Sequence, residues 1–142
     1  KTREEFFRDA PLYVMPEVEQ AIWALVERHL RGEPVAYLIG EWEFYGLTLD
    51  IDRSVLIPRV DTEALAGEAV SYLGGLGPCR VLDLCAGSGC VGLAVAANVP
   101  NCRVLLGELS EAAARLCRQN IRRCGLSAQA SVMVMDAPET AA

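Results

Sequence analysis

The segment Arg80-Val81-Leu82-Asp83-Leu84-Cys85-Ala86-Gly87-Ser88-Gly89-Cys90-Val91-Gly92 restricts the folds open to this chain more than any other. An apolar run carrying one acid breaks into a glycine-rich turn and resumes as an apolar pattern at helical spacing. Those patterns predict a buried parallel strand, a tight loop and a helix N-terminus. Glycines serve where backbone turns sharply and comes close to a ligand, because a Cβ would clash there. The free N–H groups of the first helical turn offer a site for a polar or anionic group. A nucleotide-like cofactor is the first ligand to test.

Read literally, Gly87-Ser88-Gly89-Cys90-Val91-Gly92 is the G-x-G-x-x-G dinucleotide fingerprint. That fingerprint also requires an acid about 20 residues on, and Glu108 closes the next apolar run, Arg103-Val104-Leu105-Leu106-Gly107. A carboxylate there accepts hydrogen bonds from both ribose hydroxyls. NAD and S-adenosylmethionine both carry an adenosine ribose, so Glu108 supports a nucleoside without choosing between them. Asp83 leans towards S-adenosylmethionine. Two residues before the turn, its carboxylate reaches the loop or a ligand's ammonium group, and its charge would serve a pyrophosphate poorly. The plainer alternative is a tight turn that binds nothing, with Asp83 capping loop amides.

The 142 residues suffice for one ordinary domain, or a small domain and part of another. A hydrophobic share of 52% supports a real core and argues against global disorder. No apolar run approaches the ~20 residues that span a membrane. The N-terminus has neither a signal-peptide shape nor an initiator methionine, the pattern of a chain with residues missing upstream. Net charge is −6, and acids outnumber bases in both halves. That argues against a broad surface for DNA or RNA and favours a protein or small-molecule substrate.

Cys79, Cys85, Cys90, Cys102, Cys117 and Cys124 form no C-x-x-C pair, and the lone His29 is far away in sequence. Neither a zinc site nor a disulfide framework is expected; the predicted state is reduced, partly buried thiols in a cytoplasmic protein. Cys85 is the exception, because it occupies the ligand loop.

Residues 16–31 predict an amphipathic helix with Pro16 in its first turn, an apolar face of Val18, Ile22, Leu25, Val26 and Leu30, and an end at Gly32 and Pro34. A shorter helix is expected around Glu4–Arg8. Residues 41–51 alternate about Tyr45-Gly46 as a β-hairpin. Asp61-Thr62-Glu63 reads as the cap of a helix running to about Leu73. Beyond Arg80, strands near 80–85, 103–108 and 130–135 alternate with helices near 89–98 and 110–124, the second capped by Ser110. Strands joined by helices predict a parallel α/β sheet. The domain boundary falls near residues 52–60.

Three further segments sharpen this reading: Arg31-Gly32-Glu33-Pro34-Val35-Ala36-Tyr37-Leu38-Ile39-Gly40, Glu43-Phe44-Tyr45-Gly46 and Leu56-Ile57-Pro58-Arg59-Val60-Asp61-Thr62-Glu63. With the glycine loop, their order resembles the protein-(glutamine-N5) methyltransferases of the HemK or PrmC type, which modify peptide chain release factors. The resemblance runs from about residue 16 to residue 136. It implies an α/β protein: a helical N-terminal domain over 1–40, a β-hairpin linker over 41–60, and the N-terminal half of a Rossmann-like methyltransferase domain over 61–142. It also implies S-adenosylmethionine as donor, a release-factor glutamine as acceptor, and no metal or nucleophilic side chain. By position, Cys85, Ala86, Gly87, Ser88 and Gly89 would line the methionine and ribose part of the donor site beside Asp83. Glu108 would hold the ribose hydroxyls, Asp136 and Ala137 would lie at the adenine, and Arg59 would approach from the side.

The chain departs from the family pattern at Cys85 (usually glycine), Ala86 (threonine or similar), Val60 (proline) and Glu108 (aspartate). Cys85 puts a side chain where backbone should approach the ligand, so Cys85→Gly is expected to tighten donor binding at a slight cost in stability. The family's Asn-Pro-Pro-Tyr motif, which binds the acceptor amide, does not occur in these residues. A truncated chain with a donor half-site, no turnover and an exposed, self-associating sheet edge is therefore expected, without direct contacts to nucleic acid or membrane. The competing readings are an NAD-dependent oxidoreductase fragment and a non-catalytic nucleoside-binding module. Against the first, some 80 residues precede a fingerprint that normally opens its domain.

Overall fold

The computed structural model describes residues 15–136 together with Thr2 and Glu4. The expected helix around Glu4–Arg8 lies largely outside the described residues. Helix α1 (Pro16–Leu30) has proline in its first turn with Glu17 and Glu19, and Arg28 and His29 in its last, as the helix dipole favours. Its expected apolar face buries no residue: Ile22 is 50% and Leu30 79% exposed. Periodicity identified the face that seeks a partner, but the described residues do not cover it. A short helix α2 (Val35–Ile39), for which the sequence carried no separate expectation, follows and ends at Gly40 with φ +82°. Between α1 and α2, Arg28 grips the Glu33 carboxylate through two hydrogen bonds of 2.8 and 2.7 Å, and Arg53 approaches it at 3.1 Å.

Strands β1 (Glu41–Phe44) and β2 (Leu47–Asp50) form the expected hairpin, with Phe44 paired to Leu47. Tyr45 and Gly46 sit at φ +48° and +78°, the two positive values that a tight hairpin turn needs. Phe44 and Leu49 carry the hairpin into the main core. Helix α3 (Val60–Gly74) starts at Arg59, not at the expected cap: no side chain caps it, and Asp61 and Glu63 lie in its first turn. The Glu63 carboxylate instead accepts the backbone N–H of Tyr45 at 2.8 Å, binding α3 to the hairpin turn.

The α/β portion runs β3 (Cys79–Leu84), α4 (Cys90–Asn98), β4 (Cys102–Glu108), α5 (Glu111–Arg123) and β5 (Ala130–Val134). The three strands are parallel, with β4 in the middle. Ser110 caps α5, its hydroxyl accepting the Ala113 N–H at 3.3 Å. Leu93, Val95, Val104, Leu106 and Cys117 fill the layer between sheet and helices. The opposite face of the sheet differs from the expectation of buried strands. There Leu82 and Met133 are each 52% exposed, with Leu84 beside them. A further correction concerns the cysteines. Cys79 and Cys102 are register partners on β3 and β4, with Cα atoms 4.8 Å apart, and are joined as a disulfide. Cross-strand pairing brought together two residues 23 apart in sequence, which no local spacing rule could show. No described helix is long and apolar enough to cross a membrane.

Candidate functional site

The loop between β3 and α4 is built from left-handed backbone: Cys85 has φ +60°, Gly87 +56° and Gly89 +83°. Gly89 is the N-cap of α4, and it has no side-chain oxygen for the free amides of the first turn. Asp83 supplies one. Its Oδ2 accepts the Gly92 N–H at 2.9 Å from the neighbouring strand. Glu108, at the end of β4, divides its carboxylate between the Gly87 N–H at 2.8 Å and the Ser110 N–H at 2.9 Å. Ala86 N–H donates to the Gly107 carbonyl at 3.1 Å. Asp83 thus holds the first turn of α4 and Glu108 the loop, and each oxygen of Glu108 keeps a second lone pair for a further donor.

Close packing also explains Gly92. A Cβ there would stand 2.6 Å from Leu106 Cδ2 and 2.9 Å from Asp83 Oδ2, so only glycine lets α4 lie this near the sheet. At Gly89 a Cβ would meet Cys117 Sγ at 2.8 Å.

Above the loop opens a cavity of about 900 Å³. Asp83, Cys85, Ala86, Gly87, Ser88 and Glu108 line one side, and Arg59 lies on the other with Tyr37, Trp42 and the segment 54–58. Tyr37 and Trp42, which sequence reasoning did not single out, come from α2 and β1. Tyr37 is fixed by its hydroxyl, which donates to the Val55 carbonyl at 2.7 Å. Of the remaining expected residues, Gly89 stands behind the loop as the helix cap. Asp136 is exposed and does not line the cavity, although the adjacent Met135 N–H bonds the Glu108 carbonyl at 3.0 Å. Ala137 lies outside the described residues.

Burial raises the pKa of Asp83, partly offset by the Gly92 N–H. The same cause raises the Cys90 thiol and pushes Cys117 up to about 12, so neither is a thiolate nucleophile. Among the described residues no cluster of His, Cys, Asp and Glu is arranged to hold a metal. The cavity presents two carboxylates on one wall, a guanidinium on the other, and apolar and aromatic surface between. A smaller groove of about 380 Å³ lies along Arg80–Leu82 and Arg103–Leu105 and carries no carboxylate.

Asn120 is a third residue that the sequence did not single out. Fully buried on α5, it bonds both the hairpin and the Ser88 carbonyl of the loop. Its signal was its place on the buried face with Leu116 and Cys117, a polar residue at an apolar position of an amphipathic helix.

The glycine loop, the carboxylate ending the second parallel strand and the cavity at the strands' C-terminal ends define a Rossmann-like methyltransferase fold. The same fold occurs in P. horikoshii TYW2 in complex with MeSAdo, at a TM-score of 0.55 and 20% identity over 68% of this chain and 35% of that one. Residues 65–140 match a family model described as lysine methyltransferase, and residues 1–40 match the PrmC N-terminal domain. The release factor glutamine methyltransferase of Bordetella pertussis is 43% identical over 112 residues, 79% of this chain and 42% of that protein. Its namesake from Thermodesulfovibrio yellowstonii is 40% identical over 112 residues, 74% of this chain and 40% of that protein. This chain belongs to the HemK/PrmC-type methyltransferase family. It spans about two fifths of the length of these relatives.

Proposed function

We propose that this chain is the donor-binding part of an S-adenosylmethionine-dependent methyltransferase that modifies a glutamine side chain of peptide chain release factors in the cytoplasm. The observation that carries this reading is the pairing of Asp83 and Glu108 on the cavity wall beside a left-handed glycine loop. A donor with an ammonium group and two ribose hydroxyls complements those carboxylates, whereas the pyrophosphate of NAD would face them at a cost. The family model that matches residues 65–140 names lysine as acceptor. Glutamine is the better reading, because the names of the full-length relatives and the match of residues 1–40 both favour it. The division into a helical part over 1–40, a hairpin linker over 41–60 and a methyltransferase part from 61 belongs to the same proposal.

When bound, S-adenosylmethionine supplies an electrophilic methyl on a sulfonium sulfur. It would give this methyl to an amide nitrogen of the acceptor, with the thioether as leaving group and the amide proton released. The chain's own residues position and desolvate. The free lone pairs of Glu108 would accept the ribose hydroxyls, Asp83 would hold the ammonium, and Arg59 would hold the carboxylate. Tyr37 and Trp42, which line the cavity, would exclude water. A poor nucleophile gains most from such positioning, since the amide nitrogen must lie about 3 Å from the methyl.

A second reading is donor binding without transfer, favoured by the absence of Asn-Pro-Pro-Tyr from these 142 residues. Calorimetry with S-adenosylmethionine, S-adenosylhomocysteine and NAD tests the donor. The two adenosyl ligands should bind and NAD should not; preference for NAD would overturn the reading. An assay with radiolabelled donor and a purified release factor tests transfer. No turnover is expected from this chain alone, and turnover would show that another residue replaces the missing motif.

A further inference from the structure

One buried side chain bonds both the hairpin and the glycine loop. Asn120 Oδ1 accepts the Asp50 N–H at 2.7 Å, and its Nδ2 donates to the Asp50 carbonyl at 3.1 Å and the Ser88 carbonyl at 2.9 Å. This orientation of the amide is forced, because an N–H can only donate and the two carbonyls can only accept. Asn120 therefore pairs with the last residue of β2 much as a neighbouring strand would, while its second proton fixes the loop carbonyl just before the N-cap of α4. One turn further along α5, Arg123 reaches the same hairpin, bonding the carboxylates of Asp50 and Glu41. Ser88 lines the cavity and Asp50 does not, so the contact passes from the site to an element outside it.

We infer that Asn120 is a positioning residue: it locks the hairpin linker and the donor loop into one arrangement, so that filling the cavity and docking the hairpin are coupled. The clause about filling the cavity rests on the donor reading above; the mechanical link between hairpin and loop does not. Replacing Asn120 by aspartate keeps the size and the acceptor for the Asp50 N–H. It turns both donor bonds into contacts between a carboxylate and a carbonyl.

Amide hydrogen exchange and calorimetry on the 142-residue chain separate the outcomes. Without ligand, Asn120→Asp should speed exchange at Asp50 and at the loop amides Gly87 and Gly89 together. In the unaltered protein, S-adenosylhomocysteine should slow exchange at Asp50, although that amide lies outside the cavity. Asn120→Asp should also weaken S-adenosylhomocysteine by about tenfold. Ile121→Val, a core change that removes none of these bonds, should lower the thermal midpoint and leave affinity unchanged. Should Asn120→Asp fail to fold, Asn120→Ser and the ligand-dependent protection of Asp50 in the unaltered protein carry the test. Unchanged exchange at the loop amides overturns the inference, as does an affinity that merely follows the thermal midpoint in both variants. If S-adenosylhomocysteine does not bind the unaltered protein but Asn120→Asp still loosens both segments, the donor reading fails and the positioning role stands.

Discussion

Cys85 and Glu108 show how a single position acquires two duties. Cys85 holds φ +60°, a left-handed conformation that costs a non-glycine residue about 1 kcal/mol or more. Cys85→Gly should remove that cost, so stability should rise by several tenths of a kcal/mol after the entropy of glycine is counted. This reverses the slight loss expected from sequence. Donor binding should tighten as well, because the side chain lines the cavity. Thermal melting and calorimetry on the variant check both, and weaker binding would make the thiol part of the site. At Glu108, the expectation of a side chain free for ligand was incomplete, since its oxygens already hold Gly87 and Ser110. Glu108→Ala should weaken S-adenosylhomocysteine by roughly 1.5–3 kcal/mol, through the lost ribose bonds and a looser loop. Exchange at the Gly87 amide should rise in the same variant. Unchanged affinity would remove Glu108 from the site.

At the scale of elements, the turn between α1 and α2 is held by charge. Arg28, chiefly through its hydrogen bonds, and Arg53 keep the Glu33 carboxyl at about 2, well below its ordinary 4.5. A depressed carboxyl pKa stabilises the folded turn only while the group is ionised. The contribution is complete above about pH 4.5 and fades as pH falls towards 2. An NMR titration should therefore find Glu33 still ionised at pH 3, and Arg28→Ala should move its midpoint upward. The hairpin and the βαβ elements were legible beforehand, because turn residues and apolar periodicity are local. Helix α2 and the start of α3 were not. Both follow from contacts made by the folded chain: Tyr37 anchors on Val55, and Glu63 is drawn to the Tyr45 N–H instead of capping its own helix.

For the whole molecule, the exposed face of the parallel sheet is the feature with consequences. Leu82, Leu84 and Met133 form an apolar surface without cover among the described residues, and β3 and β5 are edge strands. Such surfaces associate. Sedimentation of the 142-residue chain should show a mass that grows with concentration, and Leu82→Ser with Met133→Ser should shift it towards monomer. A monomer at all concentrations would show the face to be inert.

The sequence by itself determined the βαβ order, the hairpin, the glycine loop and the acids at Asp83 and Glu108, because each rests on a pattern spanning a few adjacent residues. Tertiary structure alone decided that Glu108 holds the loop at Gly87, that Gly92 must lack a Cβ, and that Cys79 faces Cys102. It also decided that Asn120 ties a hairpin 70 residues away to the site. Those facts depend on distances between segments remote along the chain, which are fixed only when strands pair and helices settle on the sheet.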